Sequence, residues 1–293
     1  MLSVELYAPS DLEDALKFIE SNGKDVTVLA SGTDLLPRIR KRHTVPSVLL
    51  DISSLHDDFK YIRQTEGVIH VGTLTTVTDL LESPFFGERL SMVREAAEKF
   101  GAPQIRNVAT VGGNICSASS SEDLIPVFMS LDAQVKLISA GGERSIPLEE
   151  FIIGKRATVM KASEILSEVY FESLGGHSWS AFEKLGRRNI LIVAMVNEAL
   201  MLRLEDDLRT VSSIRVALNR VTGRIPALAV KTQQFMEGRK LSEETIMEAQ
   251  RILASELALT SDFRGSSAYR VEVAKVYLKR LIQRCAAKIA SEA

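Results

Sequence analysis

The sequence is poor in cysteine and histidine, and this shortage excludes several kinds of site. Its 293 residues include two cysteines, Cys116 and Cys285, which lie far apart in the chain. Two cysteines exclude a disulfide framework and any zinc or iron–sulfur site built from four thiolates. The four histidines also lack the spacing of metal ligands; they are His43, His56, His70 and His177.

A large net charge and long apolar runs are missing as well. A formal net charge of −2 provides no general attraction to nucleic acid or to an anionic membrane. No apolar run approaches the ~20 residues that a membrane-spanning helix needs. The segment Met1–Leu6 lacks a basic region followed by an apolar stretch, so we expect no signal peptide and a cytoplasmic protein.

Two glycine-containing segments are the most informative part of the chain. The first, Ala30–Asp34, follows a predicted buried strand, Val26–Leu29, and precedes a predicted helix from Leu35 to Lys41. The second, Val108–Asn114, places two glycines after β-branched residues, and we interpret it as another loop that leaves a buried strand. Glycine lets the backbone approach a bulky ligand, and a helix N-terminus attracts phosphate. Together the segments predict a clamp for the pyrophosphate of a long cofactor.

Each segment alone also has an ordinary structural explanation. A glycine pair is common in turns, and Thr33-Asp34 is typical of a helix cap. Asp123 is typical of the first turn of a helix, and Lys184 of a solvated cationic face. Neither segment matches the Gly-x-Gly-x-x-Gly fingerprint or the phosphate-binding Gly-x₄-Gly-Lys-Ser/Thr loop.

Hydrophobic periodicity predicts mixed helices and strands. A capping box at Ser10–Glu13 predicts a first helix, and another is expected from about Glu122 to Leu131. The segments Ile192 to Leu204 and Val211 to Leu218 read as two strands, although the apolar content of the first also suits a helix. Ser242 is expected to cap a helix near the C-terminus. The apolar face of the last helix is predicted from four residues, Tyr269, Val273, Val276 and Tyr277.

Changes in pattern predict three domains. The pattern changes near residue 56, and the glycine pair Gly175-Gly176 separates the next two sections. We therefore expect two N-terminal subdomains and a C-terminal domain, with the ranges 1–55, 56–174 and 175–293.

Three strings of residues carry a resemblance to a known family. Ala30–Leu36, Pro103–Asn114 and Asp123–Pro126 resemble the medium, FAD-binding subunit of the molybdenum hydroxylases, the family of xanthine dehydrogenase, aldehyde oxidoreductase and carbon monoxide dehydrogenase. The Pro103–Asn114 string is highly specific. The resemblance covers the whole chain, since further motifs, from Arg144–Phe151 to Asp262–Arg270, follow in the family's order.

The resemblance implies an α+β fold and a set of FAD contacts. The fold would be a two-subdomain FAD-binding fold of the PCMH (vanillyl-alcohol oxidase-like) type, followed by a C-terminal α+β domain with an antiparallel sheet and helices. Asp123 would bind the adenosine side, Gly101 would border the flavin, Leu166 would pack on the ring system and Lys184 would reach the cofactor. The predicted pyrophosphate contacts are Leu29, Ala30, Ser31, Gly32, Thr33, Asp34, Leu35, Leu36, Thr110, Val111, Gly112, Gly113 and Asn114.

The family's role is to transfer electrons. The resemblance implies that FAD receives electrons from a [2Fe–2S] cluster on a small subunit, after their release at a molybdopterin centre on a large subunit. NAD⁺, oxygen or another acceptor then takes them, within a dimer of heterotrimers. No histidine lies in either glycine segment, so we expect non-covalent FAD. Two departures from the family pattern are Ser31, where glycine is usual, and Leu191-Ile192-Val193, where Asp-Ile-Ala is usual.

Two other functions are compatible with the same fold or loops. A free-standing flavin oxidoreductase would resemble the enolpyruvyl reductases of cell-wall synthesis, but it needs a proton-donating serine or cysteine and a glutamate near the C-terminus, and no convincing pair is present. A phosphate- or nucleotide-binding module without redox activity is the other alternative.

Overall fold

The computed structural model describes residues 4–186, 193–219, 227–258 and 261–292. Within these ranges, three larger sheets follow one another along the chain, and helices cover each of them. The mixture of helices with largely antiparallel sheets confirms the predicted α+β class.

The first sheet is parallel and small, with the strand order β1-β3-β2. Its strands are β1 (Glu5–Tyr7), β2 (Val26–Leu29) and β3 (Val48–Asp51). The helices of this part are α1 (Leu12–Asn22), α2 (Leu35–Arg40) and α3 (His56–Phe59). Ala15 and Ile19 of α1 are buried in a small core with Leu50 and Phe59. The strand, loop and helix predicted for residues 26–41 are therefore present.

The cap of α1 differs from the predicted capping box. Asp11, not Ser10, is the N-cap residue, and its carboxylate accepts a hydrogen bond of 2.9 Å from the Asp14 amide. The backbone N–H of Ser10 instead donates to the Asp14 carboxylate at 2.9 Å. Asp and Ser are equally good caps, so the motif alone did not decide between the two neighbours.

The second sheet is antiparallel, with the order β4-β5-β10-β6-β7. Its strands are β4 (Ile62–Thr65), β5 (Val68–Gly72), β6 (Gln134–Ser139), β7 (Gly142–Pro147) and β10 (Ile165–Glu172). A separate hairpin is formed by β8 (Ile152–Gly154) and β9 (Ala157–Thr158). The helices are α4 (Val77–Glu82), α5 (Ser91–Glu98), α6 (Pro103–Arg106), α7 (Val111–Ser117), α8 (Leu124–Ser130) and α9 (Leu148–Phe151). They enclose the largest core cluster, which includes Phe86, Phe128 and Phe151.

The third sheet is also antiparallel, with the order β11-β12-β13-β14. Its strands are β11 (Ser178–Leu185), β12 (Val196–Leu204), β13 (Val211–Asn219) and β14 (Ala227–Leu228). Three helices follow: α10 (Val230–Met236), α11 (Glu243–Glu256), capped by Ser242 as predicted, and α12 (Ser267–Glu292). The segment that suited a helix as well as a strand forms β12, whose two faces are both buried. Continuous burial explains why its apolar content did not distinguish the two.

The predicted apolar face of the last helix is wrong in part. Tyr269 and Val276 are 50% and 43% exposed, and of the four predicted residues only Tyr277 is buried. The buried face instead runs through Ala274 and Leu278, and it includes Arg270, which pairs with Asp262. A search for large apolar residues could not find this face, because it contains a small residue, Ala274, and a charged residue, Arg270.

Each larger sheet lies within one of the three predicted domain ranges, whose boundaries stay a prediction. In the described part of the chain no helix, including the 26-residue α12, combines the length and the hydropathy needed to cross a bilayer.

Candidate cofactor-binding site

A cavity of about 520 Å³ lies between the first and second sheets. This volume falls in the range of pockets for small molecules and cofactors, roughly 300–1,000 Å³. Its walls come from the loop after β2, the first turns of α7 and the start of β10. The predicted contacts that line it are Leu29, Ala30, Ser31, Gly32, Thr33, Asp34, Leu35, Thr110, Gly112, Gly113, Asn114 and Leu166. The structure therefore brings both glycine segments to one cavity.

The first segment turns at Gly32. This residue has a φ of +74°, and a Cβ there would lie 2.7 Å from the Leu36 side chain. Its carbonyl accepts a 3.0 Å hydrogen bond from the Leu36 amide, which starts α2. Ser31 is not among the residues of positive φ, so a side chain at the position usual for glycine causes no backbone strain. Glycine is required at position 32 and not at 31.

The second segment is a helical turn, and the prediction that it leaves a strand is wrong. The amides of Val108 and Ala109 both donate to the Ile105 carbonyl, so these residues continue the turn of α6 instead of extending. Thr110 then caps α7, and its hydroxyl accepts a 3.1 Å hydrogen bond from the Gly113 amide. Of the β-branched residues that suggested a strand, Val108 therefore lies in a turn and Thr110 caps a helix.

Asn114 presents an unsatisfied polar atom to this region. Its residue is 6% exposed, its Nδ2 donates to the Glu122 carboxylate, and its Oδ1 has no hydrogen-bond partner among the described residues. A buried amide oxygen without a donor is costly, about 1–3 kcal/mol. A ligand that donates a hydrogen bond would remove this cost, so the site fits a cofactor that carries hydroxyl or N–H groups.

Glu122 also lines the cavity, although sequence reasoning took it only as the start of a helix. Its carboxylate accepts hydrogen bonds from Asn114 and, at 2.5 Å, from the Ser117 hydroxyl. Burial raises the pKa of Glu122 to about 8, and the nearby carboxylates of Asp123 and Asp34 add to the rise. The sequence position of Glu122 could not reveal its place in the cavity wall, because that place depends on the bend between α7 and α8.

An ion pair connects the cavity wall at Asp34 to a neighbouring hairpin. Asp34 accepts hydrogen bonds of 2.7 and 3.1 Å from the guanidinium of Arg156, which lies in the turn between β8 and β9. The Asp34 carboxylate raises the pKa of Arg156. Arg38 of α2, 3.8 Å from the same carboxylate, also lines the cavity. The pair connects the first glycine segment to a hairpin 122 residues further along the chain.

Asp123 and Lys184 do not line the cavity, although both were predicted as cofactor contacts. They form a buried ion pair with each other, with 2.5 Å between Lys184 Nζ and Asp123 Oδ2. Asn197 Nδ2 donates to the other Asp123 oxygen at 2.9 Å. The pair connects the start of α8 to β11 and β12 of the third sheet.

Three other predicted contacts also lie outside the cavity wall. Gly101 has a φ of +45° and sits between the lining residues Phe100 and Ile105. Leu36 is exposed, and Val111 is buried in the largest core cluster. The Arg187-Arg188 motif and Leu191-Ile192 fall outside the described residues.

Comparison with known proteins gives a consistent result across the chain. Residues 2–171 match the family described as the FAD binding domain in molybdopterin dehydrogenase, and residues 180–285 match the CO dehydrogenase flavoprotein C-terminal domain. The nicotinate dehydrogenase FAD-subunit of Eubacterium barkeri is 33% identical over 96% of this chain and 95% of its own length. The glyceraldehyde dehydrogenase medium chain of Sulfolobus acidocaldarius is 29% identical over 90% of this chain and 92% of its own.

A solved structure agrees with these matches. A chain of the carbon monoxide dehydrogenase from Hydrogenophaga pseudoflava superposes with a TM-score of 0.91 at 27% identity. The similarity covers 97% of this chain and 98% of that chain. The predicted fold, an FAD-binding part followed by a C-terminal α+β domain, is confirmed by this likeness and by the two family matches.

Proposed function

Because this chain belongs to the FAD-binding subunits of the molybdenum hydroxylase family, we propose that it relays electrons inside a complex of several subunits. The proposed electron source is a [2Fe–2S] cluster on a small partner subunit, fed by a molybdopterin centre on a large one. The proposed recipient is NAD⁺, oxygen or another acceptor. The names of the relatives, an FAD-subunit and a medium chain, support an assembly of this kind.

The cavity between the two glycine segments is the observation that carries the proposal. FAD, when bound, supplies the redox chemistry, and the protein supplies position and electrostatics. The polypeptide offers closely approachable backbone at Gly32 and Gly113 and the guanidinium of Arg38. It also offers a buried amide oxygen at Asn114 and an apolar wall at Leu166. These groups suit a ligand that is anionic in one part and flat and apolar in another.

We propose the lining residues of the two segments, together with Leu166, as the FAD contacts. Asp123 and Lys184 stay predicted contacts, and a direct role for them requires part of their buried pair to face the cavity. Gly101, Leu36 and Val111 would act by shaping the backbone beside the lining residues. The two cysteines of the chain cannot supply a four-thiolate cluster, so the proposed cluster is assigned to a partner.

Copurification tests the proposed assembly. The full chain, tagged and expressed in its native cells, should bring down two further chains together with iron, molybdenum and FAD. A Gly113→Leu variant is the matched control, since the change lies inside the cavity: it should retain the partner chains and lack FAD. A lone chain with steady flavin-dependent turnover would contradict the proposal and favour a free-standing oxidoreductase.

The acceptor needs a separate experiment. The FAD-loaded complex is reduced by dithionite under anaerobic conditions, freed of excess dithionite and mixed with NAD⁺, and the near-ultraviolet absorbance of NADH is followed. Formation of NADH at a rate that matches steady turnover supports NAD⁺ as the acceptor. Its absence, together with rapid reoxidation by oxygen or a quinone analogue, assigns the recipient to another class.

A further inference from the structure

The described cavity wall contains the carboxyl groups of Asp34, Glu122 and Glu164, and Glu122 differs from the other two, which are each paired with an arginine. The Glu122 carboxyl receives hydrogen bonds from Asn114 and Ser117, and it lies in the same wall as Gly113. Gly113 belongs to the segment that we assign to the pyrophosphate of FAD. An ionised carboxylate close to a pyrophosphate would oppose binding, because like charges in a partly buried site repel strongly.

The charged groups around Glu122 do not neutralise a carboxylate there. Of the nearby cations, Arg156 is paired with Asp34, and Lys184 is paired with Asp123. The side chains that contact the Glu122 carboxyl directly, Asn114 and Ser117, are uncharged. The described titratable and charged groups around Glu122 come from every element packed near it. They are Asp34 (the loop before α2), Arg38 (α2), Cys116 (α7), Asp123 (the start of α8), Arg156 (the β8–β9 turn), Lys184 (β11), and Lys161 and Glu164 (elsewhere in the cavity wall).

The neutral form of Glu122 is favoured near neutral pH. Its pKa is raised to about 8: burial is the largest cause, Asp123 and Asp34 also act to raise it, and Ser117 and Arg156 act to lower it. Burial raises the pKa of the Cys116 thiol to about 12, so this neighbour does not titrate in the same pH window. From β12 and β13, the uncharged side chains of Asn197 and Asn219 donate to the Glu122 carbonyl.

We propose that Glu122 couples FAD retention to protonation: the cofactor binds the form in which this carboxyl is neutral, and deprotonation of Glu122 weakens binding. The inference rests on FAD as the ligand of the cavity. A neutral carboxyl keeps its hydrogen bonds with Asn114 and Ser117 and adds no negative charge beside the pyrophosphate. Binding above neutral pH therefore takes up a proton at Glu122.

The dissociation constant of FAD, measured as a function of pH, tests this coupling. The FAD-free full chain is titrated with FAD, and quenching of flavin fluorescence gives Kd. Between about pH 7 and about pH 9, the wild-type Kd should rise roughly tenfold, as expected for one group that must be protonated with a pKa near 8. The Glu122→Gln variant mimics the neutral form, and its Kd should stay constant over the same range.

Ser117→Ala provides a second, independent measurement. The Ser117 hydroxyl lowers the pKa of Glu122, so its removal should move the pH midpoint of FAD binding upward. A residue with a purely structural role would change Kd by the same factor at every pH. Proton uptake is checked by calorimetry in buffers of different ionisation enthalpy, and it should disappear in Glu122→Gln.

The outcomes that contradict the coupling are distinguishable from those that contradict the ligand. A wild-type Kd that is constant over this pH range, or a Glu122→Gln variant with the wild-type pH dependence, overturns the coupling and leaves the FAD assignment intact. A wild-type chain that binds no FAD at about pH 7 overturns both. Thermal unfolding of each variant shows whether it is folded. If Glu122→Gln does not fold, the pH midpoint of FAD binding in Ser117→Ala decides whether the coupling exists.

Discussion

Gly112 and Gly113 are neighbours in the first turn of α7, yet different surroundings require glycine at each position. A Cβ at Gly112 would lie 1.5 Å from the Thr73 hydroxyl, a distance that no side chain can adopt without movement of the backbone. A Cβ at Gly113 would meet only the Thr110 hydroxyl, at 2.9 Å, and the residue faces the cavity. Packing therefore requires the first glycine, and we propose that FAD binding requires the second.

Substitution should separate these two requirements. Gly113→Leu fills the cavity, so we expect loss of FAD retention with helix content near that of the wild type, and a loss of at most about 1 kcal/mol in unfolding free energy where the new Cβ disturbs the Thr110 cap. Gly112→Ala forces α7 away from Thr73, and we expect a loss of about 1–3 kcal/mol in the free energy of unfolding, as for overpacked cores. Flavin absorbance of the purified variants and denaturant unfolding measure the two effects.

Gly175→Leu is the control for this pair. No atom lies within 4 Å of a Cβ at this position, which is remote from the cavity wall. This variant should keep both its FAD and its stability. A normal flavin content in Gly113→Leu would refute the assignment of the second segment to the cofactor.

At the scale of single elements, the start of α1 depends on one carboxylate. Asp11 caps the Asp14 amide, while Ser10, which the predicted capping box names, lies outside the helix. Asp11→Ala should lower the free energy of unfolding by about 1 kcal/mol, the usual cost of a lost N-cap. Ser10→Ala removes an exposed hydroxyl with two long hydrogen bonds, of 3.2 and 3.4 Å, to the Asp11 and Asp14 carboxylates, and should cost much less. Chemical denaturation of both variants measures the difference, and equal losses would contradict the observed cap.

The sequence predicted elements best where one local pattern decides the structure. The prediction of a strand, loop and helix around the first glycine segment is confirmed, because a half-buried strand, β2, leads into Gly32, which adopts a positive φ. The second segment was misplaced, because Val108 and Thr110 favour a strand locally while contacts with Ile105 and Thr73 make a turn. The face of α12 was misjudged because Arg270 belongs to its core side.

The candidate site shows the same limit. Both glycine segments could be assigned to one ligand from their residues, since glycine next to a helix start has a direct physical meaning. Glu122 could not be assigned to the ligand from the sequence, because its place in the cavity wall depends on how α7 and α8 meet. The partnership of Asp123 with Lys184 joins residues 61 positions apart, and no local pattern indicates it.

At the scale of the whole molecule, the Asp123–Lys184 pair connects the second sheet's helices to the third sheet. The Lys184 side chain is 1% exposed, and its ammonium also donates to the Lys99 carbonyl at 2.9 Å. Lys99 itself pairs with Glu183 at 3.1 Å, but its side chain is 37% exposed. Two lysines in the same region thus form ion pairs of very different burial.

Loss of these lysines should have unequal effects. Lys184→Met leaves the Asp123 carboxylate buried without its cation, and we expect a loss of about 3–5 kcal/mol in unfolding free energy. Lys99→Met removes an exposed pair and should cost about 0–1 kcal/mol. The double variant Asp123→Asn with Lys184→Met should be more stable than Lys184→Met alone. If the double variant loses as much as or more than the single one, an isolated buried charge is not the cause.

The origin of the cavity walls has a consequence for biosynthesis. The loop that contains Asp34 comes early in translation, whereas Leu166, from another part of the wall, comes much later. A nascent chain therefore has no complete cofactor site until Leu166 has left the ribosome. FAD insertion therefore follows synthesis of this part of the chain. Cells short of the cofactor would accumulate finished polypeptide with an unfilled cavity.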